Sequence, residues 1–415
     1  MRIENGDLKE VIRKVVNETA IVDVHTHLFN PSFGSLLLWG IDELLTYHYL
    51  VAEVMRYLTM PYERFWELSK KKQADVVWNT LFVDRSPISE STRGVLTVLN
   101  SLGLDVSSRN LESYRKFFEN QEVERYIDSV FKLANIKYIV MTNDPFVDEE
   151  RKVWLESYKD DPRFKSALRI DPLLNKWLES YKKLASWGYN VGEKIDSKTL
   201  SEIRNFLSDW IERMKPVYMA ASLPPTFHVP EDSVRSVIVE KAILPVAQEH
   251  DIPFAMMIGV KKLTNPALKL AGDSVGRTDM GTVEYLCRNY PKNKFLLTVL
   301  SRENQHELVV VARKFRNLHV FGCWWFLNNP SIIEEMTNER VEMLGLSFTP
   351  QHSDARVLDQ LIYKWKHSKE IITNILAKKY SQIVDNGWKL SEEEIRRDVR
   401  ILFGGEFEEF LKRKF

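Results

Sequence analysis

Ile21-Val22-Asp23-Val24-His25-Thr26-His27 places two histidines at alternate positions at the end of an apolar run. On a β-strand residues i and i+2 project to the same face, so this reading sets His25 and His27 side by side, with Asp23 on that face as well. Two adjacent imidazoles suit a divalent metal such as zinc, given one or two more ligands. An arbitrary His-x-His is more often a surface or hydrogen-bonded pair. What raises this one is its early hydrophobic strand and a candidate ligand far downstream, in Pro350-Gln351-His352-Ser353-Asp354-Ala355-Arg356.

Outward from that strand, further short apolar runs follow at 137–142, 164–170, 216–223, 253–260, 294–300, 318–325 and 345–350. Near-continuous apolar runs mark strands covered on both faces, and helical patterns lie between most of them, at 200–214, 232–250, 280–290, 303–316 and 331–343. Strands alternating with helices predict an α/β fold, a (β/α)8 TIM-like barrel, although a doubly wound sheet reads similarly. Two stretches exceed a bare barrel. Residues 28–136 form a long, aromatic-rich helical insertion after strand one, expected to cover the barrel mouth, and 357–415 read as C-terminal amphipathic helices. The expected organisation is therefore 1–27 as N-terminal segment and first strand, 28–136 as insertion, 137–356 as the rest of the barrel, and 357–415 as the closing helices.

Lys plus Arg and Asp plus Glu both number 58 in 415 residues, so no overall charge draws the chain to nucleic acid or to an anionic membrane. With only Cys287 and Cys323, no disulfide framework is implied and a reducing cytoplasm is the expected compartment. Met1-Arg2-Ile3-Glu4-Asn5-Gly6-Asp7 lacks a signal-peptide core, and no apolar run approaches the ~20 residues that span a bilayer.

A barrel carries its active site at the carboxyl ends of its strands. Asp144, Arg169, Asp171, Lys261, Lys262, Arg302, Asp354 and Arg356 all fall there on this reading. Plain solvation explains Lys261, Lys262 and Asp144. Asp354 differs, because the last strand lies beside the first once a barrel closes, so it can complete a His25, His27, Asp354 metal set. His228, His250, His319 and His367 have no motif around them. Asp23 reads as a structural carboxylate or an outer partner of the histidines.

These residues carry a family resemblance. The His-x-His on strand one with an Asp after strand eight resembles the amidohydrolase superfamily, and within it the chain is similar to the shorter bacterial uronate isomerases. The resembling stretches are Asp23-Val24-His25-Thr26-His27-Leu28-Phe29, Asp42-Glu43-Leu44-Leu45-Thr46-Tyr47-His48-Tyr49, Leu168-Arg169-Ile170-Asp171-Pro172, Ser301-Arg302-Glu303-Asn304-Gln305-His306, Cys323-Trp324-Trp325-Phe326 and His352-Ser353-Asp354-Ala355-Arg356. Where two-metal hydrolases of the superfamily place further ligands, this chain has Ala221-Ser222-Leu223 and Ile258-Gly259-Val260, and His306 reads as the opening of a helix. A single divalent ion is therefore expected, zinc by default with manganese or iron as alternatives, and no organic cofactor.

The resemblance implies aldose-ketose isomerisation of a small hexuronate, glucuronate to fructuronate or galacturonate to tagaturonate, by proton transfer from C2 to C1 through an enediol. Arg169 and Arg356 have forks suited to a carboxylate or an oxyanion. Tyr49 is expected to shuttle the C2 proton or polarise its neighbouring oxygen, His48 to contact substrate hydroxyls, and Asp354 to help open the sugar ring. Arg302 and one of the tryptophans, Trp325 or Trp324, are expected as substrate contacts. His48 and Tyr49 fall in a helical pattern from about Asp42 to Arg56, so they need not share a face. A hydrolase or decarboxylase of the same superfamily, or a non-catalytic sugar-acid binding protein, stand as alternatives. The aromatic insertion and the helical C-terminus suggest a homo-oligomer.

Overall fold

Parallel strands follow one another around a curled sheet in the order in which they occur along the chain: β1 (Ile21–Thr26), β2 (Ile136–Asn143), β3 (Phe164–Arg169), β4 (Met219–Leu223), β5 (Phe254–Ile258), β6 (Phe295–Val299) and β7 (Leu318–Val320). The computed structural model describes residues 8–415. The sheet has seven strands, one fewer than the apolar runs predict. The eighth run is not a strand: it makes a single parallel bridge, Phe321 with Thr349. Pro350 removes a ladder donor and Asp354 sits at φ +52°, so the segment cannot stay extended.

Even so, its backbone bonds to both neighbours. Thr349 donates to the Val320 carbonyl at 3.0 Å and accepts from the Gly322 amide at 2.8 Å. On the other side the Asp354 amide donates to the His25 carbonyl at 3.2 Å, and the His27 amide to the Ala355 carbonyl at 2.8 Å.

Strand alternation sorts the core into two layers. Tyr138, Val140, Tyr218, Ala220, Ala255, Met257 and Leu296 cluster on one face, where Phe407 and Phe410 of the C-terminal helix Glu406–Lys412 join them. Ile139, Met141, Met219, Met256 and Leu297 pack on the other, beneath the helices. Both layers are apolar, which is why the strands read as unbroken hydrophobic runs. In β1 alternation fails, since its register shifts between Asp23 and Thr26. Asp23 is thereby separated from the histidines. It accepts from the Ser353 amide at 3.0 Å and from Trp365 Nε1 at 2.8 Å, a tie to the long helix Gln360–Asp385.

Between β1 and β2 the chain forms helices in short pieces that include Ile41–Leu45, His48–Val54, Glu90–Ser101 and Val123–Ala134. The predicted continuous helix over 42–56 is broken at Thr46 and Tyr47. Thr46 turns its hydroxyl back onto the Asp42 carbonyl at 2.7 Å, and Tyr47 takes extended backbone.

β7 is also shorter than its apolar run. Gly322 at φ +67° turns the chain out of the sheet, so Trp324 and Trp325 lie beyond the strand and strand alternation does not govern them. A Cβ on Gly322 would stand 1.8 Å from His352 Cδ2, so no side chain fits there. Gly322→Ala is expected to destabilise the fold by about 3 kcal/mol through this clash and the left-handed backbone, read as a lowered urea midpoint; an unchanged midpoint would show that the His352 ring yields. Among the described residues no helix is long and apolar enough to cross a membrane.

Candidate metal centre and adjoining cavity

His25 Nε2 stands 3.6 Å and His27 Nε2 3.3 Å from the same oxygen, Asp354 Oδ1. The three are the one group of His, Cys, Asp or Glu ligands with metal-like spacing among the described residues. Two atoms bound to zinc at about 2.0–2.1 Å and the tetrahedral angle lie about 3.4 Å apart, which matches both separations.

Hydrogen bonding on the far sides of the rings shows what the three atoms offer. Tyr218 Oη donates to the Val24 carbonyl at 2.8 Å, so toward His25 Nδ1, at 3.2 Å, it accepts. Thr142 Oγ1 donates to the Thr26 carbonyl at 2.8 Å, and by the same logic accepts from His27 Nδ1 at 3.1 Å. Both imidazoles thus carry their proton on Nδ1 and present the Nε2 lone pair. Burial, and then the neighbouring charges, hold each ring's pKa well below the ordinary histidine value, so both are neutral.

Two nitrogen lone pairs and a carboxylate oxygen converge with no proton among them. His25 Nε2 and Asp354 Oδ1 are buried and without a hydrogen-bond partner. Such a cluster is repulsive by itself and complete with a divalent cation, so the donor set fits a metal. Removing the outer acceptor tests this. Tyr218→Phe leaves His25 Nδ1–H unsatisfied and frees the ring to change tautomer, with an expected ~10–100-fold loss of metal affinity in chelator competition. Undiminished affinity would show that Tyr218 does not set the tautomer.

His352 lies in the quoted downstream motif, but the sequence assigns it no role. Its ring lies 5.1 Å from that of His25 and 5.5 Å from Phe321, with both nitrogens unpartnered, and burial takes its pKa down to about 4. It backs the His25 ring as a neutral, packed wall. Asp354 of the cluster and Trp325 both have positive φ, +52° and +45°. An aspartate tolerates this conformation, but a tryptophan is strained by it, and such strain concentrates at functional sites.

A cavity of about 550 Å³ opens beside the triad, walled by Thr142 and Arg169 from the sheet, by His27 just past β1, by Arg356 after the interrupted last run, and by Tyr47 and His48 from the stretch between β1 and β2. Tyr49 packs on its two neighbours, with ring centroids 4.8 Å from Tyr47 and 4.7 Å from His48. Burial raises both phenols' pKa. Trp324 and Trp325 both belong to the inner core layer, and Trp325 also meets the His48 ring edge-on at 5.6 Å.

The two arginines differ. Arg169 is already paired, Nε to Asp171 Oδ2 at 2.6 Å and Nη2 to Oδ1 at 3.3 Å. Two further acids face it: burial lifts Asp144 to about 6 and Glu150 to about 7, and Glu150 Oε2 accepts from the Asp144 amide at 2.9 Å. The Arg356 guanidinium has no ion pair or hydrogen bond among the described residues, which leaves its fork available to a ligand.

Arg302 is not brought to this cavity. It opens a 3-10 turn, and its guanidinium reaches outward to Glu335 with bonds of 3.0 and 2.9 Å. Thr142, Tyr47 and Glu150 are wall residues that sequence reading missed. Tyr47 lay within the quoted Leu-Thr-Tyr-His-Tyr run. Thr142 is the penultimate residue of β2, a signal available in the strand pattern, whereas nothing local marks Tyr218 inside its apolar run.

No family model and no curated protein matches the chain. Solved structures do. A uronate isomerase from Bacillus halodurans is 57% identical, with 100% of this chain and 98% of that one covered at a TM-score of 0.98. A uronate isomerase from Thermotoga maritima is 17% identical over 99% and 100% of the two chains, with a TM-score of 0.78. A glucuronate isomerase from Caulobacter crescentus is 13% identical over 98% and 94%, also at 0.78. At these lower identities the likeness is one of fold.

Proposed function

Because the chain belongs to the uronate isomerase family, we propose that it interconverts hexuronate aldoses and 2-ketoses, D-glucuronate with D-fructuronate and D-galacturonate with D-tagaturonate. The observation that carries this reading is the proton-free His25, His27, Asp354 cluster opening onto a cavity in which Arg356 has no counterion. The sheet, bonded on both sides to the segment around 349–355, supports reading it as a closed (β/α)8 barrel whose mouth the 28–136 insertion covers. The two free, buried cysteines suit a reducing cytoplasm.

His25, His27 and Asp354 would hold one divalent ion, zinc by ligand type with manganese or iron as alternatives. When bound, such an ion supplies a positive charge that polarises a sugar oxygen. The chain's own groups do the rest. Asp354 takes the O1 proton of the cyclic sugar and returns it to O5 as the C1–O5 bond breaks, which opens the ring to the aldehyde. Tyr49 hands its phenol proton to O1 and takes the C2 proton, giving the enediol, then hands that proton to C1 and takes the O2 proton, so the carbonyl moves from C1 to C2, the phenol is restored and no atom is gained or lost. Arg356 grips the substrate carboxylate or the developing enediolate, and Arg169, held by Asp171, adds positive charge at the opposite wall. His48 and Trp325 position the sugar.

Purified protein incubated with either hexuronate in heavy water and followed by NMR is expected to form the 2-ketose. Failure to form a ketose from either sugar sinks the reading. Release of an acid or of carbon dioxide would favour a hydrolase or a decarboxylase.

A further inference from the structure

Arg169 walls a second cavity of about 410 Å³, placed past the carboxyl ends of β3, β4 and β5. The two cavities thus meet at one guanidinium. Asp171 holds that guanidinium in place, since its Oδ1 accepts from the Ser222 amide at 2.8 Å as well as from Arg169.

The lining has the chemistry of a sugar-acid site. Arg169, Lys176, Arg235 and Lys262 line it with one acid, Asp171. Arg169 is paired to Asp171 at 2.6 Å, Lys262 to Asp273 at 2.7 Å and Lys176 to Glu179 at 3.6 Å, which leaves Arg235 as the cation without a counterion among the described residues. Arg235 is half-buried and makes no ion pair among the described residues. It donates only to neutral oxygens, the Leu174 carbonyl at 2.9 Å and Asn175 Oδ1 at 3.3 Å. Pro172, Leu223, Pro224 and Val260 supply an apolar wall. A carboxylate beside a ring with C–H faces satisfies both halves of this lining.

We propose that this cavity is a subsite for a second uronate ring, so that the enzyme isomerises the reducing end of a (1→4)-linked diuronate as well as the free sugar acid. The inference rests on the isomerase reading of the first cavity. Isomerisation exchanges protons among C1, C2, O1 and O2 only; O4 and its glycosidic bond are untouched, so the linked ring needs room and a counter-charge but no new chemistry. The shared Arg169 wall places that room next to the reacting sugar.

The test is turnover of digalacturonate, followed by NMR at the reducing end, beside turnover of galacturonate. Wild-type protein is expected to form the keto-disaccharide. Arg235→Met and the surface variant Lys176→Glu, which keeps the test alive if the first misfolds, are each expected to lose about tenfold in kcat/KM for the disaccharide and to keep galacturonate turnover. No disaccharide turnover, or turnover unchanged in both variants, overturns the proposal. Galacturonate inhibition at high concentration that Arg235→Met relieves, without disaccharide turnover, also overturns it, by assigning the cavity to a second free monomer. Calorimetric binding of the disaccharide, lost in both variants, still reads this subsite if galacturonate itself is not isomerised, so the two failures are distinguishable.

Discussion

Asp354→Asn is expected to fold, to lose metal, and to turn over hexuronates about 10²–10⁴-fold more slowly. The substitution keeps the shape of the side chain and suits the backbone, because asparagine tolerates the positive φ that Asp354 adopts. What it removes is the one negative charge in the donor set and the group assigned to take the O1 proton. Its neutral oxygen still faces two imidazole lone pairs but no longer compensates a cation. Loss of a ligand costs more than the ~10–100-fold in affinity that loss of an outer partner costs. Metal content after dialysis against a limiting chelator, measured with a melting curve, separates this from unfolding. A variant that keeps both its metal and its turnover removes Asp354 from the centre.

Tyr49→Phe is expected to lower kcat by about 10²–10⁴ while KM moves by less than a few-fold, the signature of a group that handles a proton in the transition state rather than one that binds. The geometry makes a control necessary. Tyr47 stands on the cavity wall itself, whereas Tyr49 does not line the cavity and packs against Tyr47, its ring centroid 4.8 Å away. If Tyr47→Phe takes the loss and Tyr49→Phe does not, the proton belongs to Tyr47. Burial holds both phenols protonated across the working pH range, so each is expected to act by passing a proton and not as a standing phenolate.

Particular residues show how far the sequence could be read. Apolar runs located the strands because both faces of the sheet are covered, and the His-x-His survived because side-chain spacing along a strand is a local property. Asp23 was misplaced for the converse reason. A shift in register between Asp23 and Thr26 is decided by how β1 meets β2, and the run itself carries no sign of it. The eighth strand failed where proline and a left-handed aspartate interrupt it. Arg302 was legible as a charge at a strand end, but its direction depended on Glu335, 33 positions away. The tautomers of His25 and His27 were not legible, since they are set by hydroxyls on β2 and just ahead of β4.

Residues 330 positions apart, Asp23 and Ser353, are tied by a single hydrogen bond at the edge of the metal centre. At a synthesis rate of about 10 residues per second, the two imidazoles wait roughly half a minute for their carboxylate to be made. Until then β1 has one flank without a partner, the kind of open edge that invites wrong pairing. A chain broken off before Ser353 would keep most of its strands and never acquire the third donor, so on the proposed reading metal uptake reports that synthesis has passed Asp354.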